Sequence, residues 1–168
     1  KIMVDDQIKR LYASGLSKIA TVKCTINGVQ ASRVKHFVSL YDWIDIIDCR
    51  DSDEEYEGFC LKHLYEDCVN KRAHKVMYFH TKGMSHYCGV RDQYSDRKVR
   101  AVNSWRHLME WGCIDKWKEN IDKLDRYQVS GVNYCLDPWP HMSGNFWWAR
   151  ADYISTLQHP TKDAFHRE

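Results

Sequence analysis

The sequence predicts an α/β domain with a mostly parallel sheet flanked by helices. Three observations carry that expectation. Short runs rich in β-branched and aromatic residues stand at 19–26, 42–48 and 75–80. A helical pattern over about 53–72 separates the second run from the third, with Leu61, Leu64, Tyr65 and Cys68 recurring on one face. The third run, KVMYFH, is apolar without a break, as a strand covered on both faces would be. Strand, helix, strand makes a βαβ unit.

The elements follow in order. Asp5 to Ser14 carries Ile8, Leu11 and Tyr12 on one helical face, and Gly15 stands where a helix C-cap glycine belongs. IATVKCTI (19–26) alternates as a strand and ends at the turn pair Asn27-Gly28. DWIDIID (42–48) is the second strand, and Ser52 with Glu55 has capping-box spacing for the helix that follows. Residues 84–97 are polar, without period, and read as a long loop. From Lys98 the helical period returns through Val99, Val102, Trp105 or Arg106, and Met109; a shorter helix over 115–126 aligns Trp117, Ile121 and Leu124. QVSGVNYC (128–135) reads as a strand, Pro138 and Pro140 break regular structure, and NFWWA leads into a last helix near Asp152 to Leu157. Chains of this class usually open on a strand and this one opens on a helix, so the first strand is expected to lie outside the sequence.

At 168 residues and 43 % hydrophobic, the chain is the size of one domain over 1–168, open to being a piece of a longer protein. The 25 basic and 23 acidic residues leave a net charge of +2, too near balance to suggest a nucleic-acid or polyanion partner on charge alone. An acidic run (Asp48 to Glu57) and a basic one (Arg91 to Arg106) read as solvated faces. Seven cysteines, odd in number and without a CxxC pair, suit reducing, cytoplasmic surroundings, at the cytoplasmic face of a membrane if any. No apolar run reaches the length of about 18 residues that a transmembrane segment needs.

Three clusters carry candidate chemistry. In an open α/β sheet, ligands gather beyond the carboxyl ends of strands, where His80, Thr81, Lys82 and Gly83 are expected. A lysine ammonium there can hold a diphosphate and glycine permits close backbone approach; a plain surface turn is the competing reading. Asp51-Ser52-Asp53 is a DxD, an arrangement that holds Mn²⁺ or Mg²⁺ against a diphosphate, although Ser52 or Asp53 serves better as a helix N-cap. In WPHMSGNFWWARADYI (139–154), Phe146 and one of Trp147 and Trp148 read as core. His141, Ser143, Gly144 and Asn145 are polar and small, suited to a hydroxyl-rich ligand. In SWRHLMEW (104–111), Arg106 and Glu110 share a helix face: a surface pair, or, if Glu110 is buried near a cleft, a candidate base.

Together YFHTKG, NSWRHLME and HMSGNFWWARADYI resemble, in order and spacing, a family of GT-A-type glycosyltransferase domains found in bacterial polysaccharide gene clusters and in large DNA viruses of algae. The resemblance covers roughly residues 5–157. It implies a Rossmann-like GT-A fold and transfer of a hexosyl or deoxyhexosyl group from a nucleotide-sugar donor to a hydroxyl of a glycan or glycoconjugate. By that analogy His80, Thr81, Lys82, Gly83, Trp105, Arg106, His141, Ser143, Gly144 and Asn145 bind the donor. Asp137 or Glu110 deprotonates the acceptor, and Asp51 and Asp53 hold Mn²⁺ or Mg²⁺ if a metal is used. The alternative is a non-catalytic carbohydrate- or nucleotide-binding module.

Overall fold

A computed structural model of the chain describes residues 2–52, 57–81 and 96–160. The expected loop at 84–97 lies almost wholly outside the described residues, as do Asp53, Glu55, Lys82 and Gly83.

Helix α1 (Ile2–Ser14) buries Met3, Ile8 and Leu11 and ends where Gly15 turns left-handed at φ 83. Tyr12, expected on the inward face, is exposed, its ring 6.3 Å from that of Trp43. A 3₁₀ turn (Leu16–Lys18) leads to β1 (Val22–Asn27). Asn27-Gly28 turns the chain, with Gly28 at φ 108, into a helix that sequence reading misses, α2 (Ala31–Val38). Its apolar positions Ala31, Val34, Phe37 and Val38 span barely two turns among Ser, Arg, Lys and His, too short a stretch to mark a stripe. Strand β2 (Ile44–Arg50) then pairs with β1 in parallel, from Val22 opposite Ile44 to Asn27 opposite Arg50, with a bulge between Cys24 and Thr25.

The βαβ unit is therefore β1, α2, β2, and it is the whole parallel sheet. Helix α3 (Gly58–Val69) follows, but β3 (Lys75–Tyr78) does not return to β2. It forms the edge of an antiparallel sheet ordered β3, β7, β4, in which β7 (Trp147–Arg150) is central and β4 (Val129–Gly131) is the other edge. This corrects the expectation of a Rossmann-like, mostly parallel GT-A sheet: among the described residues the parallel part has two strands only. The apolar run at β3 misleads because both faces of this sheet are covered, though by helices of an antiparallel arrangement. Met77, Phe79 and Trp148 enter a core with Leu11, Met109, Ile114 and Leu124. Val76, Trp147 and Ala149 enter another with Leu64, Cys68 and Ile154. An unbroken apolar run reports two covered faces, and strand direction leaves no mark on it.

Helix α4 (Asp96–Glu110) continues into a π-helical turn (Trp111–Asp115) before α5 (Trp117–Lys123). Such a turn loosens the backbone ladder, and buried side chains take up its carbonyls: Asn120 Nδ2 donates to Gly112 O at 2.7 Å and Trp148 Nε1 to Cys113 O at 2.8 Å. The expected strand at 128–135 divides into β4 and β5 (Tyr134–Cys135), with Asn133 at φ 60 between them. Strand β5 pairs with β6 (His141–Met142) as a small hairpin, and β7 runs into α6 (Ala151–Ile154). Among the described residues no helix is long and apolar enough to cross a membrane.

Candidate functional site

The carboxyl end of β3 meets the loop that precedes β7. Gly144 turns that loop at φ 90, and only a hydrogen fits there: a Cβ would lie 2.1 Å from Met109 Sδ and 3.1 Å from Trp105 Cζ2. The close approach of α4 brings the carbonyl of Gly144 to 3.2 Å from His80 Nε2. His80 Nδ1 lies 2.8 Å from Glu57 Oε1. The ring thus lies between a carboxylate and a backbone carbonyl. The ring stacks on Tyr78 at 6.0 Å and meets the edge of Phe146 at 5.4 Å.

Glu57 gathers more than His80. Asn145 Nδ2 donates to Glu57 Oε2, and Asn145 Oδ1 accepts from Trp147 Nε1 at 2.7 Å. Burial pushes the Tyr78 phenol well above its ordinary range, and the neighbouring Glu57 charge adds to the shift. His80, Asn145, Trp147 and Tyr78 are in this way organised around one carboxylate at the start of α3.

A second network adjoins the first through Gln7. Gln7 Nε2 donates to His80 O and to Glu110 Oε1, both at 3.0 Å. Glu110 is 1 % exposed. Arg10 Nη1 donates to its Oε2 at 3.3 Å, His107 Nδ1 lies 3.3 Å from the same oxygen, and Arg106 Nη1 is 3.6 Å from Oε1. Arg10 also grips Asp115 through both oxygens, at 2.8 and 2.7 Å. The Asp115 hydrogen bond is the chief cause that raises the Arg10 guanidinium above its ordinary range. Surrounded by donors, Glu110 is placed to neutralise buried cations rather than to take a proton from an acceptor.

The structure thus brings His80, Gly144 and Asn145 together, sets Trp105 against them, and joins Arg106 and Glu110 to them through Gln7. Thr81 follows His80, half-buried. Ser143 is held in the loop by its backbone N–H, which donates to Asn133 O at 2.9 Å. His141 turns to the hairpin, with Nδ1 2.7 Å from Trp139 O. Asp137 is exposed and makes no side-chain hydrogen bond or ion pair with the described residues. Asp51 is exposed just past β2, and among the described residues no group of three acidic, histidine or cysteine side chains could hold a metal ion.

Sequence reasoning missed Gln7, Arg10 and Glu57. Gln7 sits one turn before Leu11 on the buried face of α1, and a polar residue inside an apolar stripe was the available signal. Glu57 was hidden in an acidic run that reads as a solvated face.

These features define a small mixed α/β domain with a polar, largely buried site where an edge strand meets a glycine loop. The chain belongs to the family described as Domain of unknown function (DUF8361), whose model matches residues 1–168. Neither the curated proteins nor the solved structures contain a match.

Proposed function

We propose that the chain is a glycosyltransferase, moving a sugar from a nucleotide-sugar donor to a hydroxyl of a glycan or glycoconjugate. One observation carries the reading: the three motifs behind the resemblance, far apart in sequence, converge at the end of β3. His80 Nε2 meets Gly144 O at 3.2 Å, and Gln7 links His80 O to Glu110. Core packing alone asks for apolar residues here, whereas this junction holds His80, Glu57, Asn145, Gln7, Arg106 and Glu110.

Glycosyl transfer leaves negative charge on the departing nucleoside diphosphate, so fixed cations stabilise the transition state more than the ground state. The site supplies the Arg106 guanidinium, with the His80 ring set between Glu57 and the Gly144 carbonyl. With Glu110 enclosed by donors, deprotonation of the acceptor in an inverting reaction falls to Asp137, which is exposed. Asp51 is exposed just past β2 and Asp53 lies outside the described residues, so metal dependence is read from the assay itself.

The test is to incubate the full chain with a panel of nucleotide-sugars and glycan acceptors, with and without Mn²⁺ or Mg²⁺, and to measure released nucleoside diphosphate. Release that depends on the acceptor, and falls by about 100-fold in Asp137→Asn, is expected. Donor binding without release would make the chain a binding module instead.

A further inference from the structure

Arg106 carries the one feature that the network around Glu110 leaves unexplained. Its side chain is buried, 5 % exposed, yet among the described residues Nε and Nη1 have no hydrogen-bond partner. That leaves three of the five N–H donors of the guanidinium unmet. Nη2 reaches only His107 Nε2, at 3.5 Å. Buried polar groups are nearly always hydrogen-bonded, and a buried guanidinium whose charge faces Glu110 at 3.6 Å while its N–H donors go unmet calls for a further acceptor.

The nearby carboxylates cannot be that partner. Glu110 Oε1 accepts from Gln7 at 3.0 Å and stays 3.6 Å from Arg106 Nη1, while Oε2 faces Arg10 and His107. Asp115 is committed to Arg10 through both oxygens. His107 lies across this division, with Nδ1 3.3 Å from Glu110 Oε2 and Nε2 3.5 Å from Arg106 Nη2. Every acid in the cluster is occupied, and the unmet donors of Arg106 remain.

We propose that Arg106 is an oxyanion-binding residue that takes a phosphoryl oxygen of the ligand. A planar guanidinium presents rigid donors matched to phosphate geometry, and hydrogen bonds to an ionised acceptor are the strong ones. That the phosphate belongs to a nucleoside diphosphate rests on the glycosyltransferase reading; the oxyanion site itself does not. Glu110, Arg10 and Gln7 are positioning residues that hold the guanidinium at the end of β3.

The experiment uses the full chain with three probes: inorganic phosphate, inorganic pyrophosphate and uridine diphosphate. Calorimetry is run on the wild type, Arg106→Lys and Arg106→Met, and the Arg106 Nε–H resonance of the wild type is followed by NMR. Pyrophosphate and the nucleotide should bind the wild type and shift that resonance. Arg106→Lys, which keeps a charge beside Glu110, should keep the fold and bind about tenfold more weakly; Arg106→Met should not bind. Tighter binding of uridine diphosphate than of pyrophosphate assigns the site to a nucleotide, and preference for inorganic phosphate assigns it to the free ion. An Nε–H resonance that no probe moves overturns the proposal even if both variants fail to fold, as does equal affinity in Arg106→Lys. Phosphoryl binding at Arg106 without sugar transfer would retain this site and remove the transferase reading. Transfer with an unmoved Arg106 resonance would do the reverse.

Discussion

Replacing Gly144 by alanine probes the junction on which the site depends. The new Cβ would lie 2.1 Å from Met109 Sδ, 3.0 Å from Met109 Cε and 3.1 Å from Trp105 Cζ2. Met109 is fully buried, so its side chain has no open space to retreat into. Two costs combine. An alanine at φ 90 is strained by roughly 1–2 kcal/mol, and forcing a methyl into a filled core costs roughly 1–3 kcal/mol. The sum is about 2–5 kcal/mol, which for a domain of this size lowers the melting temperature by about 4–20 °C. Urea denaturation followed by far-UV circular dichroism measures the change. Met109→Ala alone should cost about 2–5 kcal/mol as a cavity. In the double variant the alanine at 144 grows into that cavity, so the total should fall short of the sum by about 1–3 kcal/mol. Strict additivity, or an unchanged midpoint in Gly144→Ala, would refute the close approach of α4 to this loop.

Two further outcomes follow from the electrostatics. Glu110→Gln strips the shared carboxylate from Arg10 and Arg106, and should destabilise the protein by about 3–5 kcal/mol in chemical denaturation, so that lost activity accompanies lost stability; a stable but inactive variant would return Glu110 to the role of base. Burial raises the Cys24, Cys68 and Cys113 thiols from 9.0 to about 11. A group whose folded value is raised contributes stability that is complete below its unfolded value and is lost as pH climbs to the folded one, here between about 9 and about 11. Urea midpoints should therefore fall across that range, and fall less in the triple variant Cys24→Ala, Cys68→Ala, Cys113→Ala; equal slopes would refute the burial argument. In the native state at about pH 8 these three thiols should resist alkylation, with thiolate fractions of about one in a thousand.

Element existence was largely legible in the sequence, because apolar periodicity records which side of an element is covered. The helix ending at Gly15, the strand runs at 19–26 and 42–48, and the alignment of Trp117, Ile121 and Leu124 were all visible that way. Pairing was not. KVMYFH looks the same whether its neighbour is parallel or antiparallel, and here the neighbour is Trp147–Arg150, which has its own unbroken apolar run because it is central. Helix α2 escaped because eight residues, barely two turns, are too short a run to mark a face. At the site, His80, Gly144 and Asn145 stood out as polar or small residues beside aromatic strands. Glu57 and Gln7 did not, because their partners are set by tertiary contact with residues 23 and 73 positions away.

The pairing of β3 with β7 also sets an order of events. Tyr78 lies opposite Trp147, and Gly144 must reach His80, so nearly seventy residues have to be in place before either contact forms. Closing a loop of that length costs about 4 kcal/mol of chain entropy before any contact repays it. The β1–α2–β2 unit, by contrast, closes over 22 positions, from Val22 to its partner Ile44. A chain emerging from the ribosome can thus assemble its parallel half early, while its polar junction waits for the last quarter of the sequence. Long-range topology of this kind slows folding, and it ties the site to the arrival of β7: chains made only as far as β2 carry the parallel pair and none of the contacts between His80 and Gly144.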